Sequence, residues 1–259
     1  LDNIPANYQV KVPPVPKLLD ATSALCKEPK EKAFIITTPA SESSYMNVIT
    51  SIPFNMDYRH PDYAMVSLAS EYLQCVEGPF WKGIRGAGLA YGANMIRMPE
   101  ANCWGFSIYR GSDILKCYQV AKEIVGQHAS GIIEIDKLLL EGAVSMIINR
   151  IAMMENSYAS AGVANFTDNF ILKRGPNFNE HHIRRLSQVT EKELQDTMRK
   201  YFVNLFNMNS SAVFISCHPS KLNSIQEFLE MEGFTVEVEE LEEEVDSEEG
   251  SEGDSDEED

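Results

Sequence analysis

Four residues of the segment GIRGAGLAYGA, residues 83–93, are of types that can act on a carbonyl-containing ligand: Arg85, Gly86, Gly88 and Tyr91. Arg85 carries a planar guanidinium whose fixed fork of donors grips carbonyl or carboxylate oxygens. Tyr91 brings a phenolic hydroxyl, a donor with no charge of its own. The two glycines between them let backbone approach backbone or ligand closely. Preorganised donors of this kind are what a developing oxyanion needs. The same residues equally describe a glycine-rich turn leading into a strand with a packed tyrosine, and the residues alone leave both readings open.

Other chemistries lack their parts. A zinc peptidase needs closely spaced neutral donors plus a carboxylate, with one coordination position left for water. None of His60, His128, His181, His182 or His218 has the partners of a His-x-x-Glu-His or His-Glu-x-x-His site. His181 and His182 are adjacent, so on a helix their side chains diverge by roughly 100°; a solvated helix face is the expectation for both. His218, beside Cys217 at a strand end, is expected to be structural. The run Gly105-Phe106-Ser107-Ile108-Tyr109 lacks the second glycine of a nucleophile elbow. Gly86, Gly88 and Gly92 precede a strand, whereas a phosphate-binding glycine loop must open a helix.

The elements that must position Arg85 and Tyr91 follow from periodicity. The β-branched and aromatic runs AFIITTPA and SYMNVITSIPF predict strands near 33–38 and 44–53. Helical spacing of Met65, Leu68, Ala69, Tyr72, Leu73 and Val76 predicts a helix over 61–77. A short helix at 79–85 and a hairpin of strands near 88–97 and 103–110, turning at MPEAN, frame the glycine-rich segment. From 113 to 206 the chain reads as mostly helical, with Asp113, Asp136 and Thr190 at N-cap positions and Thr190 with Glu193 as a capping box. KLLLEGAVSMIINRIAMM is apolar around much of its circumference and predicts a buried helix. A strand at SSAVFISCH, a helix at SKLNSIQEFLEME and a strand at FTVEVEEL follow. The expected fold is α+β, a mainly antiparallel mixed sheet covered by helices on one face.

The divisions are an extended Pro-rich linker over 1–29, one domain over 30–240, and an acidic tail over 241–259. That tail holds 12 acidic residues and no Lys or Arg, and like charges with little to bury predict disorder. Of the formal net charge of −17, the tail accounts for −12, leaving −5 on the rest, ordinary for a globular domain. No basic stripe is present, which argues against nucleic acid. No run approaches the roughly 20 apolar residues of a membrane helix. Five cysteines without regular spacing (Cys26, Cys75, Cys103, Cys117, Cys217) suggest buried thiols in a reducing compartment. With Leu at position 1 and neither a basic nor an apolar leader, the chain reads as a piece of something longer.

GPFWKGIRGAGLAYGA, followed by a hairpin with FSIYRGSD and then a helix, resembles the C-terminal-half motif of the pitrilysin-insulysin group of zinc metallopeptidases. The Arg-to-Tyr spacing of six is most similar to the presequence protease branch. The likeness spans roughly residues 30–240 and is most specific at 78–113. It implies a two-layer sandwich of the kind shared with mitochondrial processing peptidase. It also implies two homologous halves around a chamber, with zinc and a general-base Glu in an N-terminal half that this chain lacks. By the same likeness, Arg85 orients the backbone of a peptide substrate and Tyr91 donates to the scissile carbonyl oxygen. This chain alone is then expected to be inactive, with peptide and the N-terminal half as its partners, in the cytoplasm or mitochondrial matrix. The alternative is a non-catalytic scaffold of the same fold.

Overall fold

The computed structural model describes residues 30–51, 59–98 and 103–241. The expected linker, the tip of the hairpin at 99–102, Cys26 and the acidic tail from 242 onward lie outside the described residues.

In chain order the elements are β1 (Lys32–Thr37), β2 (Ser44–Ser51), α1 (Asp62–Gln74), a π-helical turn at Trp81–Arg85, β3 (Ala90–Met98) and β4 (Cys103–Gly111). Next come α2 (Ile114–Ser130), α3 (Lys137–Met154), α4 (Tyr158–Phe166), a second π turn at Thr167–Ile171, α5 (Phe178–Leu186) and α6 (Glu191–Tyr201). The chain closes with β5 (Ser211–Cys217), α7 (Leu222–Met231) and β6 (Thr235–Glu240). All three expected N-caps are made: Asp113, Asp136 and Thr190 accept from the backbone N–H of Lys116, Leu139 and Glu193 at 2.9, 3.1 and 3.2 Å. The Thr190–Glu193 capping box is complete.

One six-stranded sheet, in the order β3-β4-β2-β5-β1-β6, forms the frame. The pairs β3–β4, β4–β2 and β2–β5 are antiparallel, while β1 runs parallel to both β5 and β6. This is the mainly antiparallel mixed sheet expected. Strand alternation divides the side chains: Ala33, Ile35, Met46, Val48, Phe106 and Ile108 are buried under the helices. On the other face, Phe34 and Phe214 sit opposite each other in register and stack at 5.2 Å, and Ile36 is exposed.

The core is held by α1, whose residues Tyr63 to Leu73 are all buried. Trp104 meets Phe202 edge-on at 4.3 Å, and Tyr118 meets Phe206 at 5.3 Å. Burying one such large apolar side chain contributes about 1.5–3 kcal/mol. The buried Glu71 of α1 accepts from Arg150 of α3 at 2.6 Å. The described cysteines Cys75, Cys103, Cys117 and Cys217 are buried free thiols.

Two expectations are overturned. Helix α3 buries only Leu140, Ala143 and Ile147. Leu138 is 79% exposed, and Met146, Ile148, Met153 and Met154 also face outward. The apolar ridge continues through α4 and the π turn after it, with Tyr158, Val163, Phe166, Phe170 and Ile171 exposed and Phe166 stacked on Phe170 at 5.3 Å. Apolarity around a helix reveals which residues avoid water, but the neighbours here cover only one row. His182 is the second correction: it is buried, 8% exposed, against Phe178 and Tyr63, while His181 is the solvated one. No helix among the described residues is long and apolar enough to cross a membrane.

Candidate functional site

The segment leading to Tyr91 is anchored on one side and open on the other. Phe80 and Ile84 are fully buried, Phe80 lying edge-on to Phe106 at 5.1 Å. Between them the chain widens by one residue per turn, and Gly86 N–H donates to the Trp81 carbonyl at 2.7 Å. With Ile84 pinned inward, Arg85 is directed to solvent. Gly86 is tight: a Cβ there would stand 3.0 Å from the Lys82 carbonyl oxygen. Gly88 has open space but a φ of +73°, which a glycine adopts without strain. Leu89 N–H then donates to Ile84 O, and Ser112 donates back to Leu89 O through its N–H at 2.9 Å and its hydroxyl at 3.0 Å. The turn is thus clamped to the end of β4.

Arg85 and Tyr91 come together. The guanidinium carbon lies 5.2 Å from the centre of the Tyr91 ring, and that ring is 64% exposed. Among the described residues neither side chain makes a hydrogen bond or ion pair, so the donors of both remain available to a ligand. Gly86 and Gly88 shape the turn between them; neither touches the two side chains' stacking.

The structure adds residues that the sequence reading did not single out. Tyr109, half exposed on β4, lies 6.1 Å from the Tyr91 ring and 5.6 Å from Tyr45 on β2. Arg110 covers Tyr109 at 5.7 Å and adopts a left-handed φ of 52°. Its hydrogen bond to Tyr45 raises the guanidinium pKa further and fixes its charge. The signal for Tyr109 was its position opposite Gly92, which depends on hairpin register. Tyr45 comes from a distant strand and left no local signal. The result is a cluster of two arginines and three tyrosines, exposed except for the partly buried Tyr45.

This cluster lies where β3 begins, and β3 is an edge strand of the sheet. Its outer row of backbone N–H and C=O groups has no partner strand within the sheet, which is the template for adding an extended peptide. Among the described residues no three His, Cys, Asp or Glu side chains converge as metal donors. The expected structural role of His218 holds: its Nδ1 accepts from Ser220 N–H at 3.2 Å and caps the turn after β5.

No protein-family model matches the chain. An uncharacterized protein of Saccharomyces cerevisiae is 61% identical over 244 residues, which cover 93% of this chain and 24% of that protein. An uncharacterized protein of Caenorhabditis elegans is 30% identical over 75% of this chain and 19% of its own length. The chain thus spans about a quarter or less of the curated relatives it matches. Among solved structures, the peptidase M16 inactive domain from Pseudomonas fluorescens matches with a TM-score of 0.57 and 17% identity, over 74% of this chain and 44% of that one. A protease from Helicobacter pylori matches with a TM-score of 0.57 and 13% identity, over 74% and 45%. Pitrilysin matches with a TM-score of 0.54 and 13% identity, over 82% of this chain and 22% of its own. The six-stranded sheet and its helical cover therefore have the α+β fold seen in pitrilysin and other M16 peptidase structures.

Proposed function

We propose that this chain is the substrate-binding, non-zinc part of a larger metalloendopeptidase related to the presequence protease branch, and that Arg85 and Tyr91 hold its peptide. The observation that carries the proposal is the pairing itself: an exposed guanidinium stacked on an exposed phenol, both with free donors, at the start of an edge strand. In this reading a peptide lies extended along β3. Arg85 donates to one of its backbone carbonyls, and Tyr91 donates to the scissile carbonyl oxygen as negative charge develops there. In this reading zinc and the general base are supplied by a part of the longer protein outside this chain, as the resemblance to the zinc metallopeptidases implies. The exposed apolar ridge on α3 and α4 suits contact with that remainder, which in the relatives is three quarters or more of the polypeptide.

In the full-length protein, Tyr91→Phe lowers kcat for peptide cleavage by about a hundredfold to a thousandfold, the range for losing a single oxyanion donor, and leaves the melting temperature unchanged. Unchanged turnover removes Tyr91 from the mechanism. A second reading, a non-catalytic scaffold, draws on the M16 structure described as an inactive domain. It predicts that Arg85→Ala and Tyr91→Phe alter neither peptide binding nor turnover.

A further inference from the structure

A second polar site lies at the other end of β3. Six residues from Tyr91, and so about 20 Å along the strand, Arg97 enters a cavity of about 230 Å³ between α1, α3, α4 and α5. Three guanidinium groups line this space, from Arg97, Arg150 and Arg174. Two are already neutralised: Arg150 pairs with Glu71 at 2.6 Å, and Arg174 pairs with Asp168 at 2.9 Å while donating to the Tyr63 hydroxyl at 3.1 Å. Arg97 has no carboxylate partner among the described residues; its only polar side-chain contact there is the Ser67 hydroxyl, to which it donates at 2.5 Å.

That leaves one excess positive charge in a half-enclosed space. Loss of hydration, then the facing Arg150 and Arg174, push the Arg97 pKa downward against the opposing pull of Tyr63 and of the Glu71 carboxylate, which is itself paired with Arg150, yet a guanidinium keeps its proton at neutral pH. His182 adds no charge there, because burial first, then Arg97 and Arg174, hold its pKa at about 4. An enclosed cation without a counter-ion is costly, and an anion bound beside it offsets that cost. One unbalanced cation with a planar fork matches a monoanion with two coplanar oxygens, which describes a carboxylate better than a phosphate dianion. The rest of the wall is apolar, from Ile147, Ile151, Met154 and Phe178, and sits beside the fork.

We propose that this cavity binds a carboxylate joined to a short apolar group, with Arg97 forming the bidentate pair and the apolar wall taking the side chain. Such a ligand is either the C-terminal residue of a peptide or a small free carboxylic acid. The site is independent of Arg85 and Tyr91 and stands or falls without them.

Calorimetric titration of the intact chain with N-acetylleucine, N-acetylleucinamide, isovalerate and inorganic phosphate tests the assignment. N-acetylleucine is expected to bind at least tenfold more tightly than its amide. Binding of isovalerate as tight as that of N-acetylleucine identifies a free acid as the ligand, and weaker binding identifies a peptide terminus. Arg97→Gln should lose the acid at least tenfold while melting at an equal or higher temperature, because it removes an unbalanced charge. Ser67→Asp places a carboxylate on the fork from within and should abolish binding while retaining the fold, so the test survives even if the first variant misfolds. Equal affinity for acid and amide, tighter binding of phosphate, absence of acid binding to the unaltered chain, or full binding by Ser67→Asp would each overturn the proposal.

Discussion

His182 gives the sharpest prediction, because its burial converts directly into a pH dependence of stability. The ring lies stacked on Phe178 at 5.4 Å and faces Tyr63 from α1, Arg97 from β3 and Arg174 from the loop before α5. Burial, then Arg97, then Arg174 lower its pKa from 6.5 to about 4. The folded state therefore binds fewer protons than the unfolded state between those two values, so stability rises with pH across the window. Lowering a pKa by one in the folded state corresponds to about 1.4 kcal/mol, so this one residue makes the fold about 3 kcal/mol less stable at pH 4 than at pH 7. His128, buried on α2 with its pKa also lowered, acts in the same direction, so the contribution of His182 must be read as a difference. Asp62, where hydrogen bonds from Lys200 and Tyr201 outweigh the effect of burial, and Glu193, held by Arg185 and the Thr190 N–H, have lowered pKa values and lose their stabilisation only at more acid pH. Urea unfolding of the unaltered chain and of His182→Phe at pH 7, 6, 5 and 4 measures the effect. The difference between the two stability curves should move by about 3 kcal/mol in favour of the variant on acidification, most of it between pH 6.5 and 4. Parallel curves would show that His182 is hydrated or charged in the fold, and the packing argument would fail with them.

Arg150→Ala leaves the buried Glu71 carboxylate with Gln74 alone and should cost about 2 kcal/mol in urea unfolding, less than a fully buried pair because Arg150 is itself half exposed. Gly88→Ala meets no atom within 4 Å, so its cost, about 1 kcal/mol, is that of the left-handed backbone alone. Native-state thiol labelling at pH 8 should leave Cys75 and Cys117 unmodified until unfolding, since burial raises their pKa values to about 11 and about 12. Rapid labelling of either would show that its part of the core opens.

Local chemistry was legible wherever the next few residues decide the outcome. Asp113, Asp136 and Thr190 cap helices because a side-chain oxygen three residues ahead of a free N–H has few other uses. The strands were legible from alternation, and the meeting of Arg85 with Tyr91 from the glycine-rich turn that separates them. What depended on distant partners was not. Tyr45 reaches Tyr109 only because β2 pairs with β4 in one register, and His182, one turn after Phe178 on α5, is buried because that face packs on Tyr63 of α1. The unbalanced charge of Arg97 is visible only once Glu71 and Asp168 are seen to be taken by other arginines.

The place of β1 carries a cost in time. It is the earliest strand of the sheet, yet both of its neighbours, β5 and β6, come from the far end of the sequence. A ribosome must therefore deliver nearly the whole domain before β1 can pair, and until then a strand bearing Phe34, Ile35 and Ile36 waits with both edges open. Chaperone dependence during synthesis, and slow refolding after dilution from denaturant, are the expected signatures of that wait.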